Sequence, residues 1–510
     1  MNAQISAETL ALMKAAQSTP LDDIAKNFVQ PSTATTGFQL YNLQAPSLKL
    51  YPLLTPLRNM ISRVSGGFAI QANWKSVTGI NSSGLRMGLT EGGRSGVIQQ
   101  TLLESLAAFR GQGLENNVSF EATYAAQGFE DLKSLAVTQL LQSVMIGEER
   151  LDLFGNTSLA LGTTPTPTLA TATTGGTIAA GTTNSVICVA LTGQAYLDMA
   201  GWNNGIAGQT FNATTALVPG TITRTNADAS TTAFGGGNAQ QSANATITTT
   251  GSTSTISATV ATVTGAVAYA WFIGATVGAE RLAAVTTVNS VLLTSIPGSG
   301  QLASAIPGGA ADASTSVVDY DGLITQAFKP GSNAQIYTMA NGTAGTGTGL
   351  TSDNAGGVYE FEYMFAQFYN KYRISPTHIF LNSQELINLT KKVVQGNGAP
   401  LLQLISSVDE KTVIMAGAKV GSYLNKITGA VIPVIVHPNM APGTIFFYSE
   451  TIPYPLEGVP SLVRKLLRQD YYQIEWPITK RRYDYGVYFD GVLQHFAPFS
   501  MGLITNIGNL

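Results

Sequence analysis

The sequence predicts an α+β chain interrupted by an all-β sandwich, and three observations predict it. Phe129, Leu132, Ala136, Leu140 and Val144 recur every three or four residues, the period of one face of a long helix. Residues 156–318 turn to Thr, Ala and Gly with short apolar runs between turns, the pattern of a sandwich. From Gly429 to Phe447, the runs Val431–Val436 and Thr444–Phe447 clasp a turn of His437, Pro438, Asn439, Met440, Ala441, Pro442 and Gly443, which reads as strand, turn, strand.

The chain opens with a short helix at Ser6–Ala16. Pro20, Pro31, Pro46, Pro52 and Pro56 then favour an extended arm, because proline removes donors and biases its predecessor away from helix. Tyr51–Asn59 is too apolar for a free tail and is expected to pack on another subunit. A projecting hairpin is expected at Trp74–Gln127, with Trp74–Thr78 leading out, a glycine-rich tip at Gly84–Gly96, and Asn117–Ala125 leading back through Val118, Phe120, Ala122 and Tyr124. Gln99–Phe109 alternatively reads as a short helix. The long helix, Phe129–Phe154, would run about 39 Å at 1.5 Å per residue. Glu130 and Asp131 suit its positive end, and Gly155-Asn156 stops it.

Within the sandwich block, strands are expected at Ser185–Leu191, Thr221–Arg224, Thr255–Val263, Ala268–Gly274 and Val291–Ile296, with Thr163–Thr183 and Ala227–Thr253 as low-complexity loops. From Gly155 to Val318 only Asp198, Arg224, Asp228, Glu280, Arg281 and Asp312 carry charge. The uncharged Ser257–Ala279 segment alternates around Val260, Val263, Val267, Tyr269, Trp271 and Ile273, so it reads as strands and not as a membrane span. With its own strand set, the block is expected to be removable without loss of the remaining fold.

Beyond it come a short helix at Tyr320–Phe328, a loop at Gly342–Gly357, an aromatic helix at Val358–Tyr372, a strand at His378–Leu381 and a helix at Ser383–Val394 capped by Ser383. Leu401–Ala416 continues this unit, and Ser461–Phe499 alternates as long antiparallel strands.

Only 11% of the residues are charged, against about 25% in an ordinary soluble domain. That deficit fits a surface covered by neighbouring subunits, or by Ser and Thr. A net charge of −3 argues against a protein built to neutralise nucleic-acid phosphates. The single cysteine, Cys188, has no internal disulfide partner and reads as a small buried hydrophobe. Met1–Leu21 lacks the basic start and apolar core of a signal peptide.

Catalytic motifs are missing. His378, His437 and His495 have no metal-ligand spacing, and neither a nucleophile elbow nor a phosphate loop occurs, so no catalytic, cofactor or metal residues are assigned. Glu148 with Glu149, and Asp409 with Glu410, read as solvated or interface charges, since adjacent helical residues point apart. Arg464, Lys465 and Arg468, with Lys480, Arg481 and Arg482, read as solvated faces or inter-subunit ion pairs.

The order of arm, hairpin, long helix, α/β unit and closing strands resembles the major capsid proteins of tailed bacteriophages of the Hong Kong 97 type. The closest local likeness is Pro433-Val434-Ile435-Val436 followed by Met440-Ala441-Pro442-Gly443-Thr444. The resemblance implies the Hong Kong 97 fold: an N-terminal arm over 1–73, an E-loop over 74–127, a peripheral domain with its spine helix over 128–155, 319–375 and 450–510, and an axial domain over 376–449. Residues 156–318 depart from it and would be an inserted immunoglobulin- or fibronectin-like domain. It further implies self-assembly into pentamers and hexamers of an icosahedral head enclosing double-stranded DNA, with assembly in the host cytoplasm. Expected partners are a separate scaffolding protein, a portal and a decoration protein, with weak contact to packaged DNA, no membrane and no cofactor. Candidate assembly-interface residues are Tyr51, Pro52, Leu57, Arg58, Arg86, Glu91, Arg94, Glu148, Glu149, Arg150, His437 and Met440. The competing readings are a surface lattice or adhesin, a phage tail component and, third, a polymer-cleaving enzyme with an acidic pair in a cleft.

Overall fold

The computed structural model describes residues 53–80, 87–97, 99–126, 131–199, 217–395, 420–453, 459 and 461–508. The helix expected at Ser6–Ala16 and the Leu401–Ala416 continuation of the α/β unit lie outside the described residues.

Four strands in the order Ser62–Ser65, Val463–Glu475, Arg482–His495 and Arg110–Ser119 form one sheet. The first pair is parallel and the others antiparallel. The two long central strands are the antiparallel pair that alternation across Ser461–Phe499 predicts. Leu132–Phe154, the long helix, lies on this sheet. Leu140, Val144 and Leu153 share a buried cluster with Leu467, Val487, Phe489 and Leu493. Asp131 is the N-cap of the helix and not part of its first turn, its carboxylate accepting from the N–H groups of Lys133 at 3.1 Å and Ser134 at 3.4 Å. Gly155 ends the helix for a steric reason, since a Cβ there would lie 2.2 Å from the carbonyl oxygen of Tyr320.

The expected hairpin is present, but it lies along the main body, the Thr78 carbonyl accepting from Asn333 Nδ2 at 2.9 Å, and its returning arm differs from the expected one. Gln71–Ile80 pairs with Gln100–Ala108, placing Trp74 opposite Ser105, so the Gln99–Phe109 region is strand and not helix. Arg110–Ser119 instead belongs to the four-stranded sheet, and Phe120–Ala125 is a short helix. The alternation of Val118, Phe120, Ala122 and Tyr124 was coincidental. Ser119 accepts from Ala122 N–H at 3.2 Å, and this cap turns the chain into helix there.

A second sheet runs Gln335–Thr338, Gly502–Thr505, Ile445–Tyr448, His378–Leu381, Val431–Val436 and Ser422–Leu424. Here the expected strand-turn-strand hairpin at Gly429–Phe447 is corrected. Both strands are present, but His378–Leu381 lies between them, parallel to Val431–Val436 and antiparallel to Ile445–Tyr448. The turn arches over the end of that central strand. His437 N–H donates to the Leu381 carbonyl at 2.9 Å, Asn382 Nδ2 to the Met440 carbonyl at 2.6 Å, and Gly443 N–H to Glu385 Oε1 at 2.9 Å. Asn382, and not Ser383, caps the Ser383–Gln395 helix, accepting from Gln384 N–H at 2.9 Å. The C-terminal strand Gly502–Thr505 also joins this sheet, away from the closing strands with which 450–510 was grouped.

The described part of residues 156–318 holds two facing sheets beside a two-stranded pair of Thr221–Thr225 with Thr231–Gly235. Ser290–Leu293, Thr255–Thr259 and Thr168–Ala172 make one, while Arg281–Thr286, Ala268–Gly274, Thr183–Leu191 and Ala245–Thr248 make the other. Ile256, Ala258, Val291 and Leu293 meet Val186, Cys188, Tyr269, Trp271 and Ile273 across the gap. Strands at Thr168–Ala172, Thr231–Gly235 and Ala245–Thr248 occupy tracts expected to be loops. The opposite face of the four-stranded layer is buried as well. Ile187, Val189, Leu191, Ala268, Ala270 and Phe272 enter the same cluster as Leu153, Phe154 and Leu323. Cys188 is fully buried, and that burial pushes its thiol pKa well above the usual range. No helix among the described residues is long and apolar enough to cross a membrane.

Candidate functional site

The last turns of the long helix carry Glu148, Glu149 and Asp152. At 3.6 residues per turn, Glu148 and Asp152 share a face and Glu149 points about 100° away. All three are buried, at 1%, 0% and 0% exposure, so the expectation of solvated or interface charges at Glu148 and Glu149 is corrected. A carboxylate in such a place needs partners, and each has several.

Glu149 holds the N-terminal segment and the turn of the second sheet together. Pro56–Met60 is a single helical turn with Pro56 at its start, and its leading N–H groups have no partner within the turn. Glu149 supplies one from the facing helix, accepting from Leu57 N–H at 2.9 Å and Arg58 N–H at 2.6 Å. Its Oε1 also meets His437 Nε2 at 2.5 Å. Leu57 is wholly buried in the main cluster, worth about 2 kcal/mol of apolar transfer. From Thr55 onward the arm therefore packs on its own chain, where another subunit was expected, while Leu53 and Leu54 stay exposed.

Glu148 is the centre of a second set. Its Oε2 accepts from Arg58 Nε at 2.7 Å and from the Tyr471 hydroxyl, while its Oε1 binds Arg63 and, at 2.6 Å, Lys465 Nζ. Parallel pairing of Ser62–Ser65 with the closing strand puts Arg63 beside Lys465, which aims both cations at one carboxylate. Arg63 also pairs with Asp470 and lies 4.6 Å from the Tyr471 ring centre. Lys465 reaches Asp152 at 2.6 Å and the Tyr320 hydroxyl at 2.9 Å, and Tyr320 donates onward to Asp152 at 2.7 Å. Burial alone would raise the pKa of Glu148, but Lys465 and Arg63 hold it at about 2. Asp152 goes the other way, pushed up to about 6 chiefly by complete burial.

The remaining interface candidates separate by position. Met440 and His437 are fully buried within the chain. Arg150 pairs with Asp198 at a partly exposed site. Glu91 and Arg94 are exposed in the hairpin tip, while Tyr51, Pro52 and Arg86 lie outside the described residues. Asp409 and Glu410 do so too. The basic clusters divide in the same way. Arg464 bonds Gln494 at 2.9 Å, Arg468 pairs with Asp490, and Arg481 with Glu121 at 3.0 Å, whereas Lys465 turns inward. Two signals in the sequence pointed to the missed residues. Glu148 and Asp152 are four apart on one helix, and Lys465 has the strand parity of the apolar Val463 and Leu467.

The hairpin presents a different kind of surface. Ala72, Ser76 and Thr78 face inward, and Trp74 Nε1 donates to the His495 carbonyl at 3.0 Å. Val77, Leu102 and Leu106 stand outward on the paired strands, and Phe68, Ile70, Met87, Leu89 and Val97 are exposed in the adjoining loops. Among the described residues no group of three or more His, Cys, Asp or Glu is arranged to hold a metal ion.

No family model matches the sequence, and no curated protein matches it. Solved structures do overlap it. The capsid of a native GTA particle aligns over 96% of this chain and 99% of its own, at 8% identity and a TM-score of 0.38. A structure from Mycobacterium phage Bobi aligns over 99% of each chain at 9% identity and a TM-score of 0.37. The capsid of Myoviridae phage XM1 covers 99% of this chain and 100% of its own at 9% identity, with a TM-score of 0.33. Likeness at this level leaves the function to be argued from the chain's own residues.

Proposed function

We propose that the chain is a major capsid protein of the Hong Kong 97 type, the repeating subunit whose pentamers and hexamers close an icosahedral phage head around double-stranded DNA. The observation that carries this reading is the apolar outer face of the hairpin. Val77, Leu102 and Leu106 are exposed on its strands, and Phe68, Ile70, Met87 and Val97 in the adjoining loops are 83%, 80%, 84% and 90% exposed in the single chain. A ribbon of two strands has no core of its own, and with its inner face on the main body its outer face is covered by nothing among the described residues, which leaves it for another molecule. A second copy of the chain supplies that surface repeatedly, as a closed shell requires. The succession of hairpin, long helix on a sheet, second sheet and closing strands supports the same reading, as does the scarcity of charge.

On this reading residues 156–318 are an inserted sandwich, the six-stranded sheet belongs to the axial domain, and the four-stranded sheet with its helix belongs to the peripheral domain. The role is structural and not enzymatic, its residence the virion, and scaffolding, portal and decoration proteins are its partners. Exposed Glu91 and Arg94 at the hairpin tip, with Arg150, are the charged positions placed to meet neighbours. Negative-stain microscopy of the full-length protein, alone and coexpressed with its genomic neighbours, tests this. Closed shells are expected; tubes alone would favour a tail component, and flat sheets a surface lattice.

A further inference from the structure

Lys465, Asp152 and Glu148 meet at a buried site, at 1%, 0% and 1% exposure. Lys465 Nζ stands 2.6 Å from Asp152 Oδ1 and 2.6 Å from Glu148 Oε1. Tyr320, 1% exposed, donates its hydroxyl to the same Oδ1 at 2.7 Å. The Tyr320 and Phe489 rings flank the nitrogen, with centres at 4.9 Å and 5.3 Å. Asp152 Oδ2 is buried and has no hydrogen-bond partner. An ammonium is thus pressed against a carboxyl group whose second oxygen nothing holds, with a second carboxylate touching the same nitrogen.

We propose that Lys465 and Asp152 condense to an intramolecular isopeptide bond, with Glu148 carrying the protons. Glu148 takes one proton from the ammonium and passes it to Asp152 Oδ2, leaving a neutral amine beside a neutral acid. The amine lone pair attacks Cγ, the new C–N bond forms, and negative charge gathers on Oδ1 against the Tyr320 hydroxyl. A second nitrogen proton travels through Glu148 to the Oδ2 hydroxyl, the C–Oδ2 bond breaks, and water leaves. In sum, –NH3⁺ and –COO⁻ become –CO–NH– and one water, with no oxidant or co-reactant. Burial favours the protonated Asp152 carboxyl that the attack needs, and Arg58 and Arg63 return Glu148 to its anionic form after each transfer. The product removes two buried charges, which is the driving force. It also fastens the long helix to the closing strand.

Intact-mass measurement of the denatured full-length protein reads the outcome directly. The expected mass is one water below that of the sequence, with a proteolytic product in which the peptides bearing Asp152 and Lys465 are joined. Asp152→Ala and Lys465→Met should each restore the sequence mass, and Glu148→Gln should slow linkage at least tenfold. A wild-type mass equal to the sequence overturns the proposal, as does a water loss confined to one linear peptide. Since the wild-type measurement decides alone, a variant that fails to fold does not obscure the answer.

Discussion

His437 and Glu149 meet at 2.5 Å, joining the turn over the six-stranded sheet to the helix on the four-stranded one. His437 Nδ1 accepts from the Asn439 N–H at 3.1 Å, so Nε2 carries the hydrogen and donates it to Glu149. Because the same carboxylate receives the Leu57 and Arg58 N–H groups, one side chain fixes three separate stretches of sequence.

That arrangement makes the two partners unequal. Glu149→Ala strands two backbone donors and an imidazole donor in a dry site, and should cost about 3–5 kcal/mol. His437→Ala leaves Glu149 two of its donors and should cost about 1–3 kcal/mol. Chemical denaturation of the unassembled variants checks this, and equal losses would contradict the hub role.

Truncation should separate the arm into two parts. Removing residues 1–52 leaves every partner of Glu148 and Glu149 described above in place, so a folded subunit is expected, with any defect confined to assembly. Removing 1–63 takes away Leu57, Arg58 and Arg63, uncovers the core at that point and strips Glu148 of two cations and Glu149 of both its backbone donors. An insoluble or unfolded product is expected, read by solubility and circular dichroism.

Much of this architecture is legible in periodicity. The long helix, the closing strands, Ala268–Gly274 and His378–Leu381 follow from local pattern, because each buries a face its own sequence defines. Pairing was harder to read. Nothing local tells Ile445–Tyr448 to neighbour His378–Leu381 and not Val431–Val436, since the decision lies in the arch made by Asn382, Glu385 and the turn. The buried charges stayed hidden for a related reason. Glu148 is surface-like by residue type, and only the distant Arg58, Arg63 and Lys465 make its burial tolerable.

Two buried groups should shape stability against pH in opposite directions. Burial raises Glu385 from 4.5 to about 7, so its contribution is complete below about pH 4.5 and is lost as pH rises through about 7. Burial lowers His495 from 6.5 to about 3, so stability is lost as pH falls from about 6.5 toward 3, where the unfolded chain takes the proton first. Glu385→Gln keeps an acceptor for Gly443 N–H and should flatten the alkaline limb, a change of about 3 kcal/mol. His495→Leu should flatten the acid limb. Denaturant midpoints measured across this range test both, and unchanged limbs would contradict the assignment.

The sandwich provides the last test. Its own strand set suggested a removable unit, but the inner layer has two buried faces. Val186, Cys188, Tyr269 and Trp271 face the opposing sheet, while Ile187, Val189, Ala270 and Phe272 share a cluster with Leu153, Phe154, Leu323 and Ile324 of the main body. Gly193 sits so close to Phe154 that a Cβ there would lie 2.1 Å from the ring. Asp321 reinforces the junction, accepting from Thr157 N–H at 2.7 Å and from the Ser158 hydroxyl at 2.7 Å. Excising residues 156–318 with a short linker should therefore expose Phe154, Leu323 and Ile324, at about 1.5–3 kcal/mol of lost burial each, and give an insoluble remainder. Polar replacement of those three residues within the excised chain should recover solubility in part. A soluble, cooperatively folding remainder without such replacements would show that the main body closes its own core.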